Sequence, residues 1–280
     1  MSLASGASPA LTRSAPSTAA AGLRDALHAE WTKLRTAPGT LGLLVAAVVL
    51  TVAVSAAAVA ATRCPAAGCG QDPAKVSLTG VYLGQVVVAV VAVLAISGEY
   101  SSGMIRTTLA AMPRRTTVLA AKAALVTGLT LAAGTVAVLG SLLAGRLILP
   151  GHGFTAGHGF APLSLADGPV LRAAAGSVLY LALIALLSLG VATAVRDSGV
   201  AIGVVLGLLY LVPIVAAVVS DPYVQRHLQQ VAPMTAGLEI QATTGLRSLP
   251  LSPWAGLGVL AAWAAAALLA GGLLLRLRDA

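Results

Sequence analysis

Between two long apolar runs the chain carries Gly98-Glu99-Tyr100-Ser101-Ser102-Gly103-Met104-Ile105-Arg106-Thr107-Thr108-Leu109, followed by Pro113-Arg114-Arg115. These residue types suit ion pairing and hydrogen bonding with another surface, not bond making. Glu99, Tyr100, Arg106, Arg114 and Arg115 are read as the contacts for a soluble partner. Gly98 and Gly103 allow a sharp turn out of the apolar run. Met104 to Met112 then form a short helix along the membrane surface, ended by Pro113. Arg106, Arg114, Arg115 and Lys122 sit at headgroup level or meet acidic residues of a partner. Glu99 pairs with one of the arginines or caps the N-terminal end of the short helix. The plainer alternative is an ordinary basic cytoplasmic loop, which needs only the Lys and Arg residues and leaves Gly98-Glu99-Tyr100 and Gly103 unexplained.

Two other groups could do chemistry. Cys64 and Cys69 are the only cysteines. Pro65 and Gly68 between them let the loop turn tightly, so a disulfide and two free thiols are both open. The loop supplies too few ligands for a metal. Further on, Gly151-His152-Gly153-Phe154 recurs as Gly157-His158-Gly159-Phe160. Apart from Asp167 no further metal-binding residue stands near these histidines, which favours a flexible loop with a duplicated turn over a metal site. Catalytic and phosphate-binding patterns are absent. There is no G-x-x-x-x-G-K-[ST] to cradle ATP, no H-E-x-x-H and no G-x-S-x-G. The chain is therefore read as neither an enzyme nor a carrier of its own cofactor.

Composition says which elements must position these groups. Hydrophobic residues make up 58% of the chain and charged residues 9%, whereas a soluble domain carries about a quarter charged residues. A membrane-crossing helix needs about twenty apolar residues, and six stretches qualify: Leu41 to Ala61, Leu78 to Ser97, 123–145, 173–195, 198–220 and Trp254 to Leu275. None of these cores holds an Asp, Glu, Lys, Arg or His, which disfavours a proton- or sodium-coupled carrier. Gln85 and several Ser and Thr residues are the polar exceptions and are read as helix-packing hydrogen bonds. The low aromatic content disfavours a β-barrel, so the fold class expected is all-α, since lipid leaves the backbone no other partner than itself.

Residues 1–22 lack the apolar core of a signal peptide and read as a disordered tail; residues 23–280 form one membrane domain. Eleven Lys and Arg residues fall on one side of the six spans and six on the other. The richer side, which holds both termini and the 98–115 segment, is assigned to the cytoplasm. The net charge of +8 reflects span ends meeting anionic membrane lipids and requires no nucleic acid.

Leu23, Leu27, Trp31 and Leu34 recur at helical spacing, with Lys33 and Arg35 on other faces. This predicts an interfacial amphipathic helix carrying Trp31, Lys33 and Arg35, with a plain solvated lead-in as the alternative; Pro38-Gly39 should break it before the first span. Gly199, Gly203 and Gly207 open the fifth span at a spacing of four. They let another helix approach closely, either in this chain or in a second copy, and Pro213 should bend the span. The polar segment from Ser220 to Pro253 should hold a short helix from Tyr223 to Val231 and either lie at the outer interface or dip into the bundle.

Three patches resemble one family: Glu30-Trp31-Thr32-Lys33-Leu34-Arg35, Gly98 to Arg115, and Pro253-Trp254-Ala255-Gly256 through to Asp279-Ala280. With the six-span layout they resemble the permease subunit of a type-2 ABC transporter of high-GC Gram-positive bacteria. The resemblance implies an ATP-driven transporter of the plasma membrane, usually an exporter. Two permease copies, identical or related, would work with a separate ATP-binding subunit that holds ATP and magnesium. It also implies that the pre-span helix is a connecting helix and that 98–115 contains the coupling helix on which the ATPase docks. The segment after the fifth span would be re-entrant, and the fifth span would meet a second copy. A membrane scaffold or channel-like protein without an ATPase is the alternative.

Overall fold

In the computed structural model, residues 27–28, 31–32, 38–65, 69–101 and 115–277 are described. Among them the structure is helical and contains no strand. Six helices are long and apolar enough to cross a membrane. They are α1 (Pro38–Ala61), α3 (Val81–Ser101), α4 (Arg115–Ile148), α5 (Gly168–Val195), the fifth span, which has three parts, and α10 (Pro253–Leu277). The fifth span consists of α6 (Ser198–Leu206), a π-helical turn at Gly207–Leu211 and α7 (Val212–Val218). Short helices α2 (Pro73–Ser77), α8 (Pro222–Val231) and α9 (Pro233–Leu238) lie between spans.

α5 and α3 form the interior, with 61% and 56% of their apolar windows buried, against 22% to 28% for the other four spans. The main core joins Leu78, Val88 and Ala92 to Tyr180, Leu181, Ile184, Val205, Leu209, Leu238 and Leu260. α5 and α10 cross closely: a Cβ on Gly190 would lie 2.5 Å from the Ala267 carbonyl carbon. Only glycine permits two backbones that near.

Several boundaries differ from the sequence reading, each for a local reason. The second span starts at Val81 and not Leu78, because Asp72 caps α2 and a turn at 78–80 intervenes. It also continues helically through Gly98 to Ser101, so the chain does not turn at Gly98. α4 begins at Arg115 and runs through Lys122; the buried Lys122 has a carboxylate partner and so does not end the helix. Pro38 is the first residue of the first span's helix, where its missing N–H is of no consequence; residues 33–37, across which the break before the span was expected, lie outside the described residues. In the fifth span, Pro213 cannot donate to residue 209 and its ring crowds that carbonyl; the π turn just before it takes up the mismatch.

On the side opposite the 98–115 segment, Cys64 and Cys69 form a disulfide with a Cα–Cα separation of 5.7 Å. The histidine repeat packs against it and is not a slack loop. Each copy makes a 3₁₀ turn closed by a left-handed glycine, Gly153 at φ 95° and Gly159 at φ 86°. Phe154 and Phe160 pack with ring centroids 5.0 Å apart. The Cys64 N–H donates to the His152 carbonyl at 2.9 Å, and His158 Nδ1 meets the Gly153 carbonyl at 2.7 Å. Among the described residues no group of three or more His, Cys, Asp or Glu could hold a metal.

After the fifth span, α8 is amphipathic and has no buried residue. α9 turns into the bundle and buries Met234, Ala236 and Leu238, and Gly237 lies so close to Tyr180 that a Cβ there would be 2.7 Å from its ring.

Candidate functional site

The segment from 98 to 115 connects the end of α3 to the start of α4. Residues 102–114, and with them Arg106 and Arg114, lie outside the described residues, as do Lys33, Arg35 and the side chain of Arg115. Of the pre-span helix, Leu27–His28 and Trp31–Thr32 are described as helical; Thr32 Oγ1 donates to the His28 carbonyl at 2.9 Å, and Trp31 is exposed.

What holds the two ends of the segment is a polar cluster built by three elements. The last turn of α3 supplies Ser97, Glu99 and Tyr100. α4 supplies Lys122. The Arg196-Asp197 hairpin between α5 and α6 supplies the third side. Glu99 and Lys122 are 5% and 2% exposed, and Lys122 Nζ lies 2.8 Å from Glu99 Oε1. Lys122 also donates to the Ala95 carbonyl at 3.2 Å. Lys122, expected at headgroup level, is instead buried against Glu99 and the Ala95 carbonyl; Arg106, Arg114 and the side chain of Arg115, the arginines expected to pair with Glu99, lie outside the described residues. Burying two charges is tolerable only when each meets the other and further hydrogen bonds complete the shell.

The hairpin completes the cluster. Arg196 takes the left-handed conformation at φ 66° as the C-cap of α5. Its guanidinium carbon lies 5.4 Å from the centre of the Tyr100 ring, a cation–π geometry. Ser198 Oγ donates to Ser97 Oγ at 2.8 Å, which donates in turn to the Val93 carbonyl. Asp197 caps α6 by accepting from the Val200 N–H at 2.8 Å. Below these groups Val93, Ile96, Leu119, Leu189, Ala192, Ala201 and Leu275 form a separate apolar cluster that joins five of the six spans' ends into one platform. Glu99 and Tyr100 therefore meet residues of α4 and of the α5–α6 hairpin at the base of the segment.

Inside the bundle, about one turn into α3, Gln85 is fully buried. Tyr180 donates its hydroxyl to Gln85 Oε1. Gln85 Nε2 lies 3.0 Å from the Tyr210 hydroxyl, 3.2 Å from the Tyr82 carbonyl and 3.4 Å from Met234 Sδ. Tyr210 sits in the π turn and donates to the Tyr82 carbonyl. The amide thus ties α3 and α5 to the widened turn of the fifth span and to α9. Gln85 stood out in the sequence as a polar residue in a span, but its tyrosine partners carried no such signal.

At the far side, Asp72 caps α2 and also accepts from Thr243 N, Thr243 Oγ1 at 2.7 Å and Thr244 N at 3.0 Å. Burial pushes its pKa up, but these hydrogen bonds and that from Lys75 N outweigh it and hold the carboxyl below its ordinary value. Lys75 lies 4.0 Å from Glu239, whose carboxyl burial holds above its ordinary value despite that cation. Arg172 donates to the Ala242 carbonyl. Nothing in the sequence pointed to this latch, because its halves lie about 170 residues apart.

Gly199, Gly203 and Gly207 lie along the fifth span and, among the described residues, face open space. A Cβ added at Gly203 or Gly207 would meet nothing within 4 Å, and one at Gly199 would meet only Asp197 Oδ1 at 3.5 Å. Val200, Val204 and Leu211 beside them are exposed. Among the described residues the stripe has no packing partner within the chain.

A family model described as ABC-2 family transporter protein matches residues 26–219, more than half of the chain. No curated protein matches it.

Proposed function

The chain belongs to the ABC-2 transporter family and is a multi-pass membrane subunit of an ABC transporter, and from that premise we propose that it is the permease half of an ATP-driven exporter of the plasma membrane. A separate ATP-binding subunit, holding ATP and magnesium, docks on the cytoplasmic segment 98–115. The observation that carries this reading is the buried cluster under the segment. A lever must be rooted in the body it moves, and Glu99–Lys122, Tyr100–Arg196 and Ser97–Ser198 root both of its ends in α3, α4 and the α5–α6 hairpin. Arg106, Arg114 and Arg115 are the direct contacts in this reading, with Glu99 and Tyr100 as positioning residues. A second permease copy packs on the open glycine stripe at Gly199, Gly203 and Gly207, which suits a close helix crossing.

Replacing Arg106, Arg114 and Arg115 together by glutamate is expected to abolish co-purification of the co-expressed ATP-binding subunit, while the permease itself still elutes as a folded species. Undiminished capture by that variant would refute the docking assignment.

For orientation, a cysteine introduced at Ser102 should be shielded from an impermeant thiol reagent in intact cells, whereas one at Thr155 should label. The reverse pattern would place the segment on the outer face and leave no route for a cytoplasmic ATPase.

A further inference from the structure

An open groove of about 420 Å³ runs between α4 and the start of α5 on the disulfide side of the bundle, within the roughly 300–1,000 Å³ of small-ligand clefts. Leu139, Leu142, Leu143 and Arg146 line it from one face of α4, and Leu163 to Ala166 with Val170 form the opposite wall. Leu139 and Leu143 are 43% and 57% exposed.

Depth along α4 says what such a groove meets. Arg146 follows the buried Lys122 by 24 residues, about 36 Å along a helix axis. The hydrocarbon core is about 30 Å thick. The Lys122–Glu99 pair is buried in protein but lies at the last turn of α3; with that turn at the depth of the inner hydrocarbon edge, Arg146 stands at the phosphate level of the opposite leaflet and the three leucines stand at acyl-chain depth. Among the described residues no carboxylate forms an ion pair with Arg146, Asp167 at the head of α5 included. Ser164 accepts from the Ala166 N–H at 3.2 Å, which leaves its own proton to donate into the groove mouth. A cation and a hydroxyl donor above an apolar trough complement a phosphate above an acyl chain.

We propose that this groove is a binding site for one anionic phospholipid of the leaflet on the disulfide side, with the phosphate on Arg146 and Ser164 and an acyl chain along Leu139, Leu142 and Leu143. The inference rests on the membrane placement of α4 and not on the ATPase partnership. It concerns a face of the bundle remote from the glycine stripe in sequence and in span.

The test is native mass spectrometry of the full chain in detergent, titrated with phosphatidylglycerol, phosphatidylcholine and inorganic phosphate. Phosphatidylglycerol should be retained about fivefold more tightly than phosphatidylcholine, the preference one arginine confers toward an anionic headgroup. Arg146→Gln should remove that preference, Leu143→Trp should weaken both lipids by filling the trough, and Arg63→Gln should change neither. Both groove residues are exposed, so the variants should elute and melt like the parent. Equal retention of phosphatidylglycerol by the parent and Arg146→Gln would overturn the site, as would an equal loss in Arg63→Gln. Inorganic phosphate bound as tightly as the lipid would also overturn it. A change of oligomeric state in Leu143→Trp without loss of lipid would assign the groove to a second copy instead.

Discussion

Lys122→Met is expected to cost roughly 3–5 kcal/mol of stability, the range for removing one partner of a buried ion pair. The reason is the asymmetry of the pair. Glu99 and Lys122 are 5% and 2% exposed, so each charge is out of water and the contact between them offsets part of the desolvation of both. Without the ammonium, the Glu99 carboxylate loses the cation at 2.8 Å, which favours its protonation or the entry of water into the platform at Val93, Ile96 and Leu119. The double replacement Glu99→Leu with Lys122→Met should regain much of the loss, because two well-packed apolar side chains avoid the desolvation of both ions. Thermal unfolding of the purified chain in detergent measures both. Equal destabilisation by the single and double variants would mean that packing, not charge, holds the platform. The double variant also tests what the pair does for transport. If Glu99 only positions the segment, the double variant should still capture the ATP-binding subunit, with weaker stimulation of ATP hydrolysis because the lever's root has loosened.

A second large effect belongs to Asp72. Asp72→Ala should remove a helix cap, at about 1 kcal/mol, and strand the Thr243 and Thr244 donors, at about 1–3 kcal/mol more. The release should be local first: hydrogen exchange should rise in 239–248 before the spans melt. The latch is also a pH device of known sign. The carboxyl is held below its ordinary value in the folded chain, so its contribution is complete above the unfolded carboxylate value of about 3.9. It is lost as pH falls through the lower folded value. Glu239 acts in the opposite sense, since its raised folded value means that its charged form costs stability and that the cost is relieved as pH falls through that value. Acidification should therefore first relieve Glu239 and only later release the latch. Hydrogen exchange in 239–248 that does not change as pH is lowered through the carboxylate range would remove Asp72 from this role.

Membrane placement was legible from composition alone, because one constraint dominates it. A helix surrounded by lipid needs a long apolar run, and such a run is local in the chain. The six spans and the short helix before Val231 followed from that kind of local signal, and the family resemblance followed from motifs that are contiguous in sequence. The limits of the spans were less legible. Lys122 looked like a boundary because a lone lysine ends an apolar run, and Gly98 looked like a turn because glycine permits one. Neither reading could include a partner on a different helix.

The same distinction separates the two kinds of site residue. The amino-acid sequence by itself determined that this is an all-helical membrane protein of six spans, that a polar, glycine-marked segment follows the second span, and that no nucleotide-binding pattern occurs in it. The tertiary structure alone decided that Glu99 meets Lys122, that Tyr100 meets Arg196, that Gln85 collects Tyr180 and Tyr210, and that Asp72 fastens Thr243. Periodicity reports the hydropathy of a helix face against lipid or core. Which polar groups meet across faces depends on the rotation and depth at which two helices settle, and that is set by close packing along their whole length, such as the contact of α5 and α10 at Gly190.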